Sequence, residues 1–165
     1  VSGRVKDPGV KLAPAGILLM KLIEDYCGGM IDGHKLKAFF PGGASGGILP
    51  ASLAHLPLDF GVFEEYGGFI GSHAIVVLSE KDSIKDAALN TMRFFKHESC
   101  GQCTPCRSGT DKMIRLLEND ISEINLYNDL IKVMGDSSIC GLGQAAANCV
   151  SHLIKYFPKE FLNEP

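Results

Sequence analysis

No apolar run in this sequence is long enough to cross a bilayer. The longest, Ile17-Leu18-Leu19-Met20 and Ala74-Ile75-Val76-Val77-Leu78, fall far short of the roughly 20 residues a spanning helix needs. Direct membrane insertion is not expected. The start has no apolar core of the secretory-leader type. Basic charge is not concentrated either. The 16 Lys and Arg are scattered and outweighed by 19 Asp and Glu, for a net charge of −3, so nothing electrostatic points to nucleic acid. There is no internal repeat and no low-complexity tract. A Ser-His-Asp arrangement is missing, as is an acidic pair with supporting context. His34, His55, His73, His97 and His152 show no ligand spacing. Hydrolytic chemistry has no signature here.

What is present is an ordinary globular balance. Of the 165 residues, 45% are apolar and 21% charged, which suits one larger domain or two small ones. Val1-Ser2-Gly3-Arg4-Val5 reads as a strand already under way with no initiator Met. The expectation is a fragment of a longer protein.

The character of the chain changes near Glu80-Lys81-Asp82, so residues 1–80 and 81–165 are expected as separate domains. The first is rich in Gly and Pro. Val1–Val5 and Val10–Leu12 flank the turn signal Asp7-Pro8-Gly9 and read as two strands. Ile17 to Tyr26 reads as an amphipathic helix, ended by Gly28-Gly29. Lys35–Phe40 and the stretch Phe69–Leu78 supply further strands. The expected fold is a small sheet clasping one helix, a β-grasp. In residues 81–165 the periodicity predicts four helices. Ser83 caps the first, with the stripe Ile84, Ala88, Met92 and Phe95. The second starts at Thr104-Pro105 and buries Met113, Ile114 and Leu117. The third covers about Leu126 to Met134, with Leu126, Leu130, Ile131 and Met134 inward. The fourth runs from about Gln144 to Phe157. Short loops imply an antiparallel four-helix bundle, so the fold class is α+β.

Six cysteines occur: Cys27, Cys100, Cys103, Cys106, Cys140 and Cys149. An even count permits disulfides, but without a secretory leader a reducing compartment is the better reading. Three lie in Glu98-Ser99-Cys100-Gly101-Gln102-Cys103-Thr104-Pro105-Cys106-Arg107-Ser108-Gly109. Cysteines so close pair poorly with one another but converge well on one metal centre. Three thiolates can curl around one face of a cubane, and a fourth must come from elsewhere. Cys140, in Ser137-Ser138-Ile139-Cys140-Gly141-Leu142-Gly143, lies in a loop that an antiparallel bundle returns to the same end. Cys149 is its rival, but it falls inside the fourth helix, where a small Cys packs as a hydrophobe. Cys27 reads as core filler. Cys100, Cys103, Cys106 and Cys140 are therefore the expected ligands of a [4Fe–4S] cluster.

The start of the second helix would turn free N–H groups and a positive dipole end toward this anionic centre. Gly101 lets the backbone bend so that amides reach sulfur, and Arg107 adds positive charge. Each favours the reduced state and raises the potential. His97 is close enough to tune it by protonation. A structural zinc site without redox activity is the competing reading. It usually has two separated cysteine pairs rather than a triplet and one distant partner. Gly42-Gly43-Ala44-Ser45-Gly46-Gly47 invites a phosphate-loop reading, but Ile48-Leu49-Pro50 opens no helix behind it. A turn-rich loop is expected.

At Glu98–Gly109 the sequence resembles the NADH-binding flavoprotein subunits of respiratory complex I. That family includes the diaphorase subunits of NAD-reducing hydrogenases and the β subunits of NAD-dependent formate dehydrogenases. The likeness covers essentially the whole chain. Val1–Val5 with Pro8-Gly9-Val10, and Lys37-Ala38 through Pro41-Gly42-Gly43, look like the family's soluble-ligand-binding β-grasp domain. Cys140-Gly141-Leu142-Gly143-Gln144-Ala145-Ala146 looks like the segment bearing its fourth cluster ligand. Its Gly-Leu-Gly-Gln wording looks closer to the hydrogenase and formate dehydrogenase branches. Cys149 stands where the family's pattern has Pro. The resemblance implies that a Rossmann-like domain, with a Gly-rich motif matched nowhere here, binds FMN and NADH. Hydride from NADH would reduce FMN, and single electrons would leave through this cluster. It further implies that the β-grasp contacts that flavin domain or other redox subunits of an NAD(H)-linked complex. It also implies a cytoplasmic location, and that this stretch alone does not oxidise NADH.

Overall fold

The computed structural model describes residues 1–164. The chain divides into two compact units, Val1–Asp82 and one from Ser83 onward. The architecture is α+β: a small sheet with one short helix, then an all-helical unit.

In the first unit, β1 (Ser2–Gly3), β2 (Leu36–Phe40), β3 (Leu49–Pro50) and β4 (Val76–Ser79) form one sheet in the order β1-β4-β2-β3. β1 and β4 run parallel, while β2 pairs antiparallel with both β4 and β3. Parallel neighbours need a crossover, and the intervening chain contains α1 (Leu19–Lys21), whose continuation Leu22–Tyr26 widens to π geometry. That is the β-grasp arrangement. Leu19, Leu22 and Ile23 are buried, as are Ala38, Phe39, Ile48, Leu49 and Val77. Phe39 meets Phe63 edge-on, centroids 6.1 Å apart. The end of β4 is tied to the β1 end by Asp82, whose carboxylate takes Arg4 at 2.6 Å and the Ser79 N–H at 2.8 Å.

Two details differ from expectation. Val10–Leu12 is not a strand: Val10 and Leu12 are fully exposed and have no sheet neighbour. β3 escaped notice because it is two residues long and contains Pro50, and only pairing with β2 defines it. The glycine-rich segment holds a 3-10 turn, Ala44–Gly46, and leads into β3, so no helix start follows it.

The second unit comprises α2 (Ile84–Glu98), α3 (Thr104–Glu118), α4 (Ile124–Ser137), α5 (Gly141–Ala145), α6 (Asn148–Tyr156) and α7 (Pro158–Phe161). α2 packs on α3 and α6, and α3 packs on α4. The α2 stripe Ile84, Ala88, Met92 and Phe95 is buried. Each such side chain contributes about 1.5–3 kcal/mol if large. The Ser83 hydroxyl caps α2 by accepting the Asp86 N–H at 3.0 Å, and the Glu160 carboxylate accepts that of Ile84 at 2.7 Å. The long fourth helix expected from the sequence is instead two pieces, α5 and α6, separated at Ala146-Ala147. In α4 the anchor is Tyr127, 1% exposed and edge-on to Phe161. Leu126, Leu130 and Ile131 are half-buried. Among the described residues no helix is long and apolar enough to cross a membrane.

Candidate metal centre

The three clustered cysteines lie where α2 ends and α3 begins. α2 stops at Ser99, whose backbone is extended. Gly101 then adopts φ +74°, a left-handed bend that L side chains rarely take, with nothing within 4 Å of a Cβ placed there. This reverses the chain within a few residues. Cys103 is the N-cap of α3 and Cys106 lies in its first turn. Cys100 is exposed, Cys103 half-buried and Cys106 buried.

Arg107 folds back over this bend. Its Nη1 donates to the carbonyl of Gly101 and, at 3.4 Å, to that of Gln102. The guanidinium thus clamps the loop as well as placing charge beside it. His97 points into solvent and its Nδ1 lies 2.8 Å from Glu98 Oε1.

Cys140 is the N-cap of α5 and is exposed. The segment around it reaches the other cysteines on both sides. The nearby backbone N–H of Ile139 is the largest reason the Cys103 thiol is held below the ordinary cysteine range. The nearby N–H groups of Cys106 and Cys103 add to it. Beyond Cys140, Gly143 packs against Cys106 so closely that a Cβ on it would stand 2.9 Å from the Cys106 Cβ. α3 and α5 are in contact accordingly.

Cys149 is elsewhere. It is fully buried in α6, and burial pushes its thiol up to about 12. A thiol that keeps its proton is a poor metal ligand. Cys27 is likewise buried, in the first unit, and its thiol is raised by burial. Neither Ser99 nor Ser138 stood out in the sequence, since serine beside cysteine has no distinguishing pattern. Yet Ser99 Oγ lies 3.3 Å from Cys106 Sγ.

Among the described residues no three Cys, His, Asp or Glu side chains close tightly enough for a single ion. Zinc with sulfur at about 2.3 Å requires that tight closure, whereas a cubane spreads its four thiolates over a larger body. An all-thiol donor set ringed by N–H and O–H groups is chemically suited to an anionic iron–sulfur cluster.

Known proteins carry the same region. The profile of the NADH-ubiquinone oxidoreductase-F iron-sulfur binding region matches residues 86–164. The F 2 subunit of the NADH-quinone oxidoreductase of Rhizobium meliloti (strain 1021) is 34% identical over 98% of this chain and 40% of its own length. The corresponding F subunit of Rickettsia akari (strain Hartford) is 40% identical over 97% of this chain and 40% of its length. The chain therefore spans about two fifths of these relatives. A chain of the NAD+-reducing [NiFe]-hydrogenase, solved in the H2-reduced state, superposes with a TM-score of 0.83 at 27% identity. That match covers 98% of this chain and 28% of the hydrogenase chain. Residues 86–164 thus match the NADH-ubiquinone oxidoreductase-F iron-sulfur binding region, and the chain is similar along nearly its whole length to part of these F subunits.

Proposed function

We propose that the helical unit holds one [4Fe–4S] cluster on Cys100, Cys103, Cys106 and Cys140 and relays single electrons. The observation that carries this reading is the packing of Gly143, three residues past Cys140, against Cys106, where a Cβ on the glycine would stand 2.9 Å from the Cys106 Cβ. It links the segment of the distant cysteine to the triplet. When bound, the cluster supplies a one-electron couple. Gly101 shapes the loop, and Arg107 holds its carbonyls while adding positive charge. Backbone N–H groups at Cys103, Cys106 and Ile139 stabilise negative charge on sulfur.

The rest of the protein's role follows the relatives. Reduced FMN, itself reduced by NADH in a domain outside these residues, is the electron donor, and partner subunits of an NAD(H)-linked oxidoreductase are the acceptors. The fully exposed Val10 and Leu12 of the first unit suit docking against such a domain or partner. The location is cytoplasmic, peripheral where the parent complex is membrane-bound.

Metal analysis of anaerobically purified protein tests the cluster. The expected result is about four iron and four acid-labile sulfide per chain, with visible absorbance bleached by dithionite. Cys140→Ala should abolish loading, and Cys149→Ala should leave it intact. Zinc in place of iron, or loading that depends on Cys149 rather than Cys140, would overturn the assignment.

A further inference from the structure

Two serine hydroxyls sit beside the cysteines of this site, one from each cysteine-bearing loop. Ser99 Oγ lies 3.3 Å from Cys106 Sγ and accepts the Gly101 N–H at 3.1 Å. With its lone pair engaged by that amide, the hydroxyl proton is free to turn toward sulfur. A metal-bound cysteine has no proton to offer, so in the loaded site only Ser99 can be the donor of this pair.

Ser138 comes from the other loop. It is 5% exposed, and its Oγ is buried with no hydrogen-bond partner among the described residues. Its backbone is fixed by Gln144, whose side-chain amide donates to the Ser138 carbonyl at 3.1 Å. Its side chain is pinned against Gly143, where a Cβ would meet Ser138 Oγ at 2.6 Å. The same point on Gly143 lies 2.9 Å from the Cys106 Cβ, so the unpaired hydroxyl stands beside one of the cysteines of the site. A buried hydroxyl left unpaired is destabilising. A thiolate at this position removes that cost.

We propose that the Ser99 hydroxyl donates a hydrogen bond to the Cys106 sulfur, that the unpaired Ser138 hydroxyl donates one to a thiolate of the loaded site, and that both so raise the reduction potential of the cluster. The inference rests on the ligand set given above. Hydrogen bonds to sulfur are one of the levers on iron–sulfur potentials. They favour whichever state carries more negative charge on sulfur, which is the reduced one. Both residues are positioning residues: they act on the couple through the ligands and bind no iron.

The test is redox potentiometry, followed by electron paramagnetic resonance, on the full-length protein and its Ser99→Ala and Ser138→Ala variants. Iron and sulfide are measured on each sample. Each alanine variant should load and show a lower midpoint, changing the reduced-to-oxidised ratio at fixed poise by up to about tenfold, about 59 mV for a one-electron couple. Threonine at either position keeps the hydroxyl and should restore the unmodified midpoint. Loaded alanine variants with unchanged midpoints overturn the proposal, as does threonine that behaves like alanine. If an alanine variant does not load, the threonine and valine variants decide. Loading with threonine alone supports the hydroxyl's role, and any other pattern overturns it. Unmodified protein without iron would instead count against the ligand set, which keeps the two failures apart.

Discussion

A Cβ placed on Gly3 would stand 2.1 Å from the carbonyl oxygen of Val77, and one on Gly46 would stand 2.3 Å from that of Phe69. Both obstacles are main chain. In the helical unit the corresponding neighbours are side chains: Met134 at 2.6 Å from Gly109 and Ser138 at 2.6 Å from Gly143. The sheet unit therefore uses glycine to bring one backbone against another, where nothing can yield. The helical unit uses it to seat a side chain, where a rotamer change or a small shift of the loop relieves part of the strain. The sheet's architecture depends on glycine, whereas the bundle depends on it mainly at the metal end.

Four experiments would sharpen or break this contrast. The largest effect is expected for Gly3→Ala. The Val77 backbone cannot move without losing the β1–β4 ladder, and φ of +90° is itself unfavourable for alanine. Denaturation should show a loss of about 4 kcal/mol or more in the first unit. A loss under about 1 kcal/mol would mean that this backbone contact is as pliable as a side-chain one.

Gly143→Ala comes next and has a different signature. The new methyl would strike Ser138 Oγ and Cβ and the Cys106 Cβ, all within 3 Å. Overpacking of this kind costs about 1–3 kcal/mol, and it displaces the loop that carries Cys140. Iron content should fall sharply while the far-ultraviolet helix signal stays near that of the unmodified protein.

Asp82→Asn is expected to cost about 1–2 kcal/mol at neutral pH, because Arg4 is half-exposed and partly screened. The Arg4 guanidinium, followed by the Ser79 N–H and O–H, holds the Asp82 carboxyl well below the usual carboxylate range. A depressed folded-state pKa gives stability that is complete above about pH 4. It is lost as pH falls from there toward the folded value. The variant and the parent should therefore converge in stability in strong acid, by urea titration across pH. Parallel curves would show that the carboxylate does not carry the tie.

The smallest effect has the opposite sign. Gly135 lies within α4 with nothing within 4 Å of a Cβ. Gly135→Ala should stabilise by about 0.5–1 kcal/mol through helix propensity alone. A loss there would show that the helical unit also holds glycine for close packing away from the metal end.

Legibility in the sequence followed the same division. The α2 stripe was readable because Ile84, Ala88, Met92 and Phe95 repeat at helical spacing behind a Ser83 cap, and helices are defined by local spacing. Residues of the sheet unit were harder to assign. Val10 and Leu12 have strand composition but no partner, and Leu49-Pro50 has a partner but no strand composition. Strand pairing is non-local, so neither fact is encoded nearby. Tyr127 was missed as an anchor because its pocket is made by Phe161, far along the chain. At the site, the cysteine spacing pointed to the chemistry. The Ser99 hydroxyl beside the Cys106 sulfur, and the buried Ser138 hydroxyl next to it, emerged only in three dimensions.

Cys103 and Cys140 each occupy the residue before a helix, and neither side chain bonds the following turn. Nature usually puts serine, threonine, aspartate or asparagine there, and losing such a residue costs about 0.5–2 kcal/mol. Here sulfur is the substitute, and it is a good acceptor only once it has given up its proton. Iron starvation should therefore register as fraying at both helix entrances, with faster amide exchange at the first residues of α3 and α5, before any distant part of the bundle loosens.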